Sequence, residues 1–150
     1  MGHLLFSFSL VLLVAALTAA CAQSVTSPSA AQVAGPAYTA AQLEGTWTLA
    51  WIERAGQARQ DRPFDASYTL SFSDGRLSTR VDCNSCGGSF SVNGTTLTAG
   101  PNLACTRAAC PTMAFETAYT GILGGDSNIV VTGSTLTLSS PRGTLQFVRN

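Results

Sequence analysis

The chain contains no lysine, and its single histidine is His3. Beyond that residue no imidazole exists. This excludes His-based acid–base catalysis, Ser-His and Cys-His nucleophile pairs, and mixed Cys/His metal sites. Charge is scarce: Asp, Glu and Arg make up 11% of the 150 residues, with eight arginines against eight acidic residues. A chain without a net field has little means of gathering nucleic acid or an acidic surface, so no nucleic-acid partner is expected. The carboxylates Asp61, Asp65, Asp74 and Asp82 are scattered, with no recognisable glycosidase-like pair. No catalytic residue, cofactor or metal ligand is therefore expected, and the chain reads as a non-enzyme.

What is present begins with an apolar run from Leu4 to Ala20, ending at Cys21. It resembles a bacterial lipoprotein signal, in which the cysteine is lipidated and becomes the first mature residue. The n-region carries no Lys or Arg, a departure from the usual pattern. Ordinary cleavage after Ala20-Cys21-Ala22 and an uncleaved membrane anchor are the alternatives. The lipoprotein reading gives a signal peptide over 1–20 and a lipidated Cys21. A flexible linker over 21–42, rich in Ser, Ala, Pro, Thr and Gln, follows. Ala22 directs such a lipoprotein to the outer membrane, facing the periplasm. The other outcomes are a secreted or a periplasmic protein.

From residue 43 to 150 the pattern is that of one mainly β domain. Strands are expected over Trp47–Ile52, Tyr68–Phe72, Arg76–Val81, Ser89–Val92, Thr95–Thr98, Ile129–Val131, Thr135–Leu138 and Thr144–Val148. Asp74-Gly75 and Asn93-Gly94 are type I′ hairpin signals. One helix is expected over Cys110–Leu123, with an apolar stripe of Met113, Phe115, Ala118, Tyr119, Ile122 and Leu123. Eight short antiparallel strands favour a small, closed or nearly closed barrel, with the helix over one opening or face. Glu53 to Asp65 holds six of the sixteen charges and no strong period, so it reads as a surface loop and a candidate contact surface. Trp47 and Trp51, four apart, share a face of a regular strand. That suits core packing or a carbohydrate platform. Arg107 and Glu116 form a candidate ion pair.

Four of the five cysteines remain once Cys21 is set aside: Cys83, Cys86, Cys105 and Cys110. Three chemistries fit them. Cys83-x-x-Cys86 has the spacing of a thiol-disulfide exchange pair, though a hairpin rather than a helix follows it. All four could hold zinc, but export argues against free thiols. Two structural disulfides suit an exported domain. Residues facing one another across a hairpin have a constant sum of residue numbers. Pairing Cys83 with Cys110 and Cys86 with Cys105 keeps the two sums nearly equal, whereas the crossed scheme does not.

Leu43-x-Gly45-Thr46-Trp47-x-Leu49, Cys83-Asn84-x-x-Gly87-x-x-Phe90, Thr106-Arg107-Ala108-Ala109-Cys110, Glu116 and Gly133-x-x-Leu136-x-Leu138 together resemble the META domain, the family of HslJ-like heat-shock proteins. The resemblance runs from about Ala40 to Asn150. Cys83 and Cys110 fall on the family's two usual cysteines, and Cys86 and Cys105 look like an added pair. Asp82 stands where the family often has Gly, and Ala108 where it often has Met. The resemblance implies a small envelope lipoprotein associated with heat shock and novobiocin resistance, with no established catalytic residues to carry over. The function it points to is a stress-related binding or stability factor. Its partners would be the membrane, through the lipid, and an envelope protein or small ligand. The rivals are an inhibitor or ligand-binding β module and a thiol-disulfide exchange protein using Cys83 and Cys86.

Overall fold

The structure, a computed structural model, describes residues 36–100 and 103–149. The signal-peptide and Cys21 expectations lie outside these residues. In chain order the elements are α1 (Ala40–Leu43), β1 (Gly45–Arg54), β2 (Gln60–Asp61), β3 (Tyr68–Ser73), β4 (Arg76–Val81), β5 (Asn84–Asn93) and β6 (Thr96–Ala99). Then come β7 (Ala104–Cys105), α2 (Met113–Leu123), β8 (Gly125–Thr132), β9 (Thr135–Ser140) and β10 (Gly143–Val148).

Eight of the strands close into an antiparallel barrel in the order β1-β3-β4-β5-β6-β8-β9-β10, with β10 returning to β1. The two-residue strands β2 and β7 are additions, paired on β1 and β5. Strict alternation drives the closure. In β3, β4 and β10 every second residue is buried, and Leu70, Phe72, Leu77, Leu145 and Phe147 fill the interior. Asp74 and Gly75 both have positive φ, 50° and 72°, and close the Ser73–Arg76 hairpin as a type I′ turn requires. The β5–β6 hairpin departs from expectation by one residue. Asn93 pairs with Thr96, so Gly94-Thr95 is the loop, and only Gly94 has positive φ. That is the type II′ pattern, which needs glycine only at its first central position.

Other boundaries differ too. Tyr38, inside the expected linker, already bonds to the barrel. Its N–H donates to Gly94 O at 2.8 Å, and its hydroxyl accepts from Val131 N at 3.1 Å. β5 begins at Asn84, ahead of the expected Ser89, because its Cys- and Gly-rich start pairs with β4 without any apolar alternation to announce it. The helix starts at Met113 rather than Cys110, since Cys110 is held outside it. Met113 is 53% exposed and leaves the apolar stripe.

Helix α2 packs on β1 and β10 and buries Tyr119, Ile122 and Leu123. The Tyr119 ring meets Phe147 and Tyr68 edge-on, at 6.2 and 5.6 Å between centroids. Its hydroxyl lies 2.7 Å from that of buried Thr79, which donates to Thr69 O at 2.6 Å. At the helix C-terminus, Arg142 from the β9–β10 turn donates to the carbonyls of Ile122 and Gly124, where a cation is favoured. The short α1 lies at the other end of β3. There the Trp47 indole N–H donates to Leu43 O at 2.8 Å, and Arg149 covers the Trp47 ring at 4.2 Å.

Burial raises the pKa of Tyr119 far above the ordinary phenol value; the Thr79 bond opposes the shift. Tyr68 is raised as well, first by burial, against the Thr112 bond, with the charges of Asp82 and Glu116 adding to the rise. The native state thus holds these protons when the unfolded chain releases them near pH ~10. Stability should therefore be level at neutral pH and fall as pH rises through about 10, by at most ~1.4 kcal/mol per pH unit for the fully buried Tyr119 phenol, with Tyr68 adding in the same direction. With no lysine to titrate there, the alkaline limb is a phenol signal. Urea unfolding between about pH 7 and 11 should show it. Tyr119→Phe should cost about 1 kcal/mol at neutral pH and flatten the limb; an unchanged limb would contradict the assignment.

Candidate functional site

Two places concentrate the polar and aromatic side chains that alternation alone does not explain. The first is the strap that runs from β6 to α2. Along it Cys105 pairs with Cys86 in the β5–β7 register, with S–S 2.02 Å, and Cys110 meets Cys83 with S–S 1.94 Å. Thr106 N–H donates to Ser85 O, and Ser85 N–H donates to the Thr106 hydroxyl, both at 3.0 Å. The nested pairing is the one present, so the four sulfurs do not converge on a tetrathiolate centre. Cys83 and Cys86 have different partners.

Asn84 is the centre of this region. It is 2% exposed, and every polar atom of its amide is bonded. Its Oδ1 accepts from the Ala108 N–H at 2.8 Å and the Thr106 hydroxyl at 2.9 Å. Its Nδ2 donates to Ala108 O and to Glu116 Oε2, each at 3.0 Å. One amide thereby ties β5, the strap and α2 together, which is why burying it costs no orphaned group. The expected Arg107–Glu116 ion pair does not form, because Glu116 turns inward to Asn84. Among the described residues the ion pair is Arg59–Asp61, at 3.0 Å. Beside Asn84, Asp82 accepts at Oδ2 from the Thr112 hydroxyl at 2.7 Å and from the Thr112 N–H at 3.3 Å. Thr112 also meets the Tyr68 hydroxyl at 2.7 Å. Asp82 has φ 59°, a conformation glycine adopts freely and Asp tolerates, which accounts for either residue at this position. An open cleft of about 470 Å³ lies against the strap, with Arg107, Met113, Glu116 and Thr120 among its walls. Glu116 borders it with its carboxylate accepting from the Asn84 amide.

The second place is created by a β-bulge. Leu49 pairs with Phe147 but Trp51 pairs with Gln146, so Ala50 is an extra residue in β1. The bulge inverts the alternation. Trp47 and Leu49 point inward, as does Ile52, while Trp51 points out, half-buried. The two tryptophans therefore do not share a face: Trp47 is core and Trp51 is surface. Arg62 holds the bulge. Its N–H donates to Ala50 O at 3.0 Å, and its guanidinium reaches Leu49 O at 3.1 Å and Ala66 O at 2.7 Å. The stretch expected as a loop from Glu53 to Asp65 is thus partly strand: β1 runs on to Arg54, and Gln60–Asp61 pair with Ile52 and Trp51. On the outer face the Trp51 indole N–H donates to Gln146 Oε1 at 2.7 Å, and the Arg59 guanidinium lies 4.8 Å over the ring. Phe64, beyond Arg62, is 93% exposed. Sequence reasoning missed this arrangement; the surplus residue of a bulge carries no signal of its own in the pattern Trp-Thr-Leu-Ala-Trp-Ile.

Among the described residues there is no cluster of His, Cys, Asp and Glu able to hold a metal ion, and no helix long and apolar enough to cross a membrane. The profile of the META domain matches residues 40–150. The chain belongs to the META-domain family. Two structures solved by NMR share its fold. One, a protein from Burkholderia xenovorans, superposes with a TM-score of 0.62 at 24% identity, covering 77% of this chain and 90% of that one. The other superposes with a TM-score of 0.58 at 22% identity, covering 74% and 94%. No curated protein matches.

The staples of this META domain differ in what they hold. Removing the outer bridge (Cys83→Ala with Cys110→Ala) frees the start of α2 and opens a loop worth roughly 3–4 kcal/mol in chain entropy. Removing the inner one (Cys86→Ala with Cys105→Ala) should cost less, because it constrains a loop the outer bridge has already shortened. Denaturant unfolding of the two double variants checks the order, and partial reduction with stepwise alkylation checks the pairing. Asn84→Ala, which strands the Ala108 N–H, should cost about 2–4 kcal/mol with both bridges intact.

Proposed function

We propose that this protein is a non-enzymatic, lipid-anchored module of the bacterial cell envelope, acting as a binding or stability factor under stress. The observation that carries the non-enzymatic part is the closed bonding of the polar cluster around Asn84. Asp82, Tyr68, Thr112 and Glu116 all have partners that fasten α2 to the barrel. Groups engaged in this way serve first to hold the fold together. The envelope part is supported by the apolar run ending at Cys21 and by cysteines held as pairs, which suit an oxidising compartment. The stress role rests on the resemblance of this META domain to HslJ-like heat-shock proteins. A β module that binds through the 53–65 segment is the second reading, favoured by the outward Trp51 and exposed Phe64.

Cys21→Ser tests the anchor. The variant should move from the membrane to the soluble fraction and lose the mass of the lipid. A variant that stays membrane-bound at unchanged mass would speak for an uncleaved anchor instead. Cells lacking the protein should survive heat and novobiocin less well, and the wild-type chain should restore them. Equal survival with and without it would sink the stress role.

A further inference from the structure

We propose that the outer face of Trp51 is a binding platform for a neutral pyranose ring of a saccharide chain. This needs only the geometry around the bulge and stands apart from the anchor and the stress role. Four observations carry it.

The bulge at Ala50 is what brings Trp51 outside. Without the extra residue the indole would sit on the same face as Trp47 and join the core. Bulges commonly re-aim a side chain in this way. Arg62 fixes the bulge through its own N–H and its guanidinium, so the ring is presented by a rigid strand rather than by a loose loop.

The neighbours across the strands are hydrogen-bonding groups placed on either side of the ring. Gln146 on β10 and Asp61 on β2 are the register partners of Trp51. The row Gln146–Trp51–Asp61 spans two strand spacings, about 10 Å. That seats one sugar ring over the indole with a hydroxyl at each edge. Gln146 gives its Oε1 to the indole N–H, which locks the ring and leaves its Nε2 to donate. Asp61 offers carboxylate oxygens to accept.

The covering group is weakly held. Arg59 lies over the indole and pairs with Asp61, with the two side chains 56% and 77% exposed. Exposed ion pairs and cation–π contacts of this kind contribute little. A sugar that stacks its apolar C–H face on the indole displaces Arg59 and takes over the Asp61 carboxylate.

Charge at the platform cancels. Arg59 and Asp61 offset one another, so the site favours a neutral ring over an anionic one. Beside it, Asp61 also borders a cleft of about 310 Å³ with Gln60, Arg54 and Phe115, which offers room for an adjoining unit of the chain.

The test is isothermal titration calorimetry of the full-length protein in a sugar-free detergent, with cellohexaose and chitohexaose as probes. At least one should bind with a dissociation constant on the order of 1 mM, the weak affinity a single open platform supports. Trp51→Ala should weaken it by about tenfold or more, whereas Trp51→Phe should keep part of it. Arg59→Ala should bind about two- to fivefold more tightly, because the covering cation no longer competes. Absence of binding by both hexasaccharides would overturn the proposal. So would wild-type affinity in a folded Trp51→Ala, or weaker binding by Arg59→Ala. If Trp51→Ala does not fold, Trp51→Phe and Arg59→Ala still decide it.

Discussion

The ladder between β1 and β10 is the constraint on which the rest of this molecule depends. It turns an eight-strand sheet into a barrel, so the two strands that would be edges pair with each other and no long edge is left for another chain. Only once closed does the sheet have an inside in which Trp47, Phe147 and Tyr119 can be buried together. The ladder is tight at its end. Gly143, opposite Arg54, has φ 147°, and a Cβ there would overlap the carbonyl of Glu53. Glycine at that position is a condition of closure.

The same ladder carries the bulge, and so it decides what the outer surface presents. An extra residue in one strand of a pair switches the faces of everything after it. Ile52 goes in, and Trp51 comes out beside Gln146. The 55–67 segment then folds back onto the bulge through Arg62, adds β2 to β1 and places Arg59 over the indole. A feature needed for the curvature of a small barrel thus also makes its most distinctive surface.

Helix α2 presents a different problem. Its buried face is short: Tyr119, Ile122 and Leu123 lie in its second half, while Met113 at its start is exposed. Packing is fullest in the C-terminal half, where Arg142 also meets the last carbonyls, while Phe115 in the first half meets the Tyr68 ring edge-on at 5.0 Å. The N-terminal half is held by the strap as well, through two cysteine pairs, the Asn84 amide and the Asp82–Thr112–Tyr68 chain of hydrogen bonds. In a domain this small, covalent and polar fastening supplements a limited apolar core.

The sequence by itself determined the β class, the barrel and most strand positions, because alternation and turn dipeptides are local signals read at a period of two. The nested cysteine pairing followed from hairpin arithmetic for the same reason, even though the Asn93-Gly94 turn sits one residue later than expected. Asn84 was visible only as a fragment of the family resemblance, and Glu116 also as a candidate partner of Arg107. Their bond joins residues 32 apart in the chain, and no local pattern encodes that. What only the tertiary structure decided is which way Trp51 faces, where β5 and α2 begin, and which partner Glu116 takes. Each of these is set by pairing across strands or by packing against a distant element. A single surplus residue in β1 reverses a face without altering composition or period enough to be noticed.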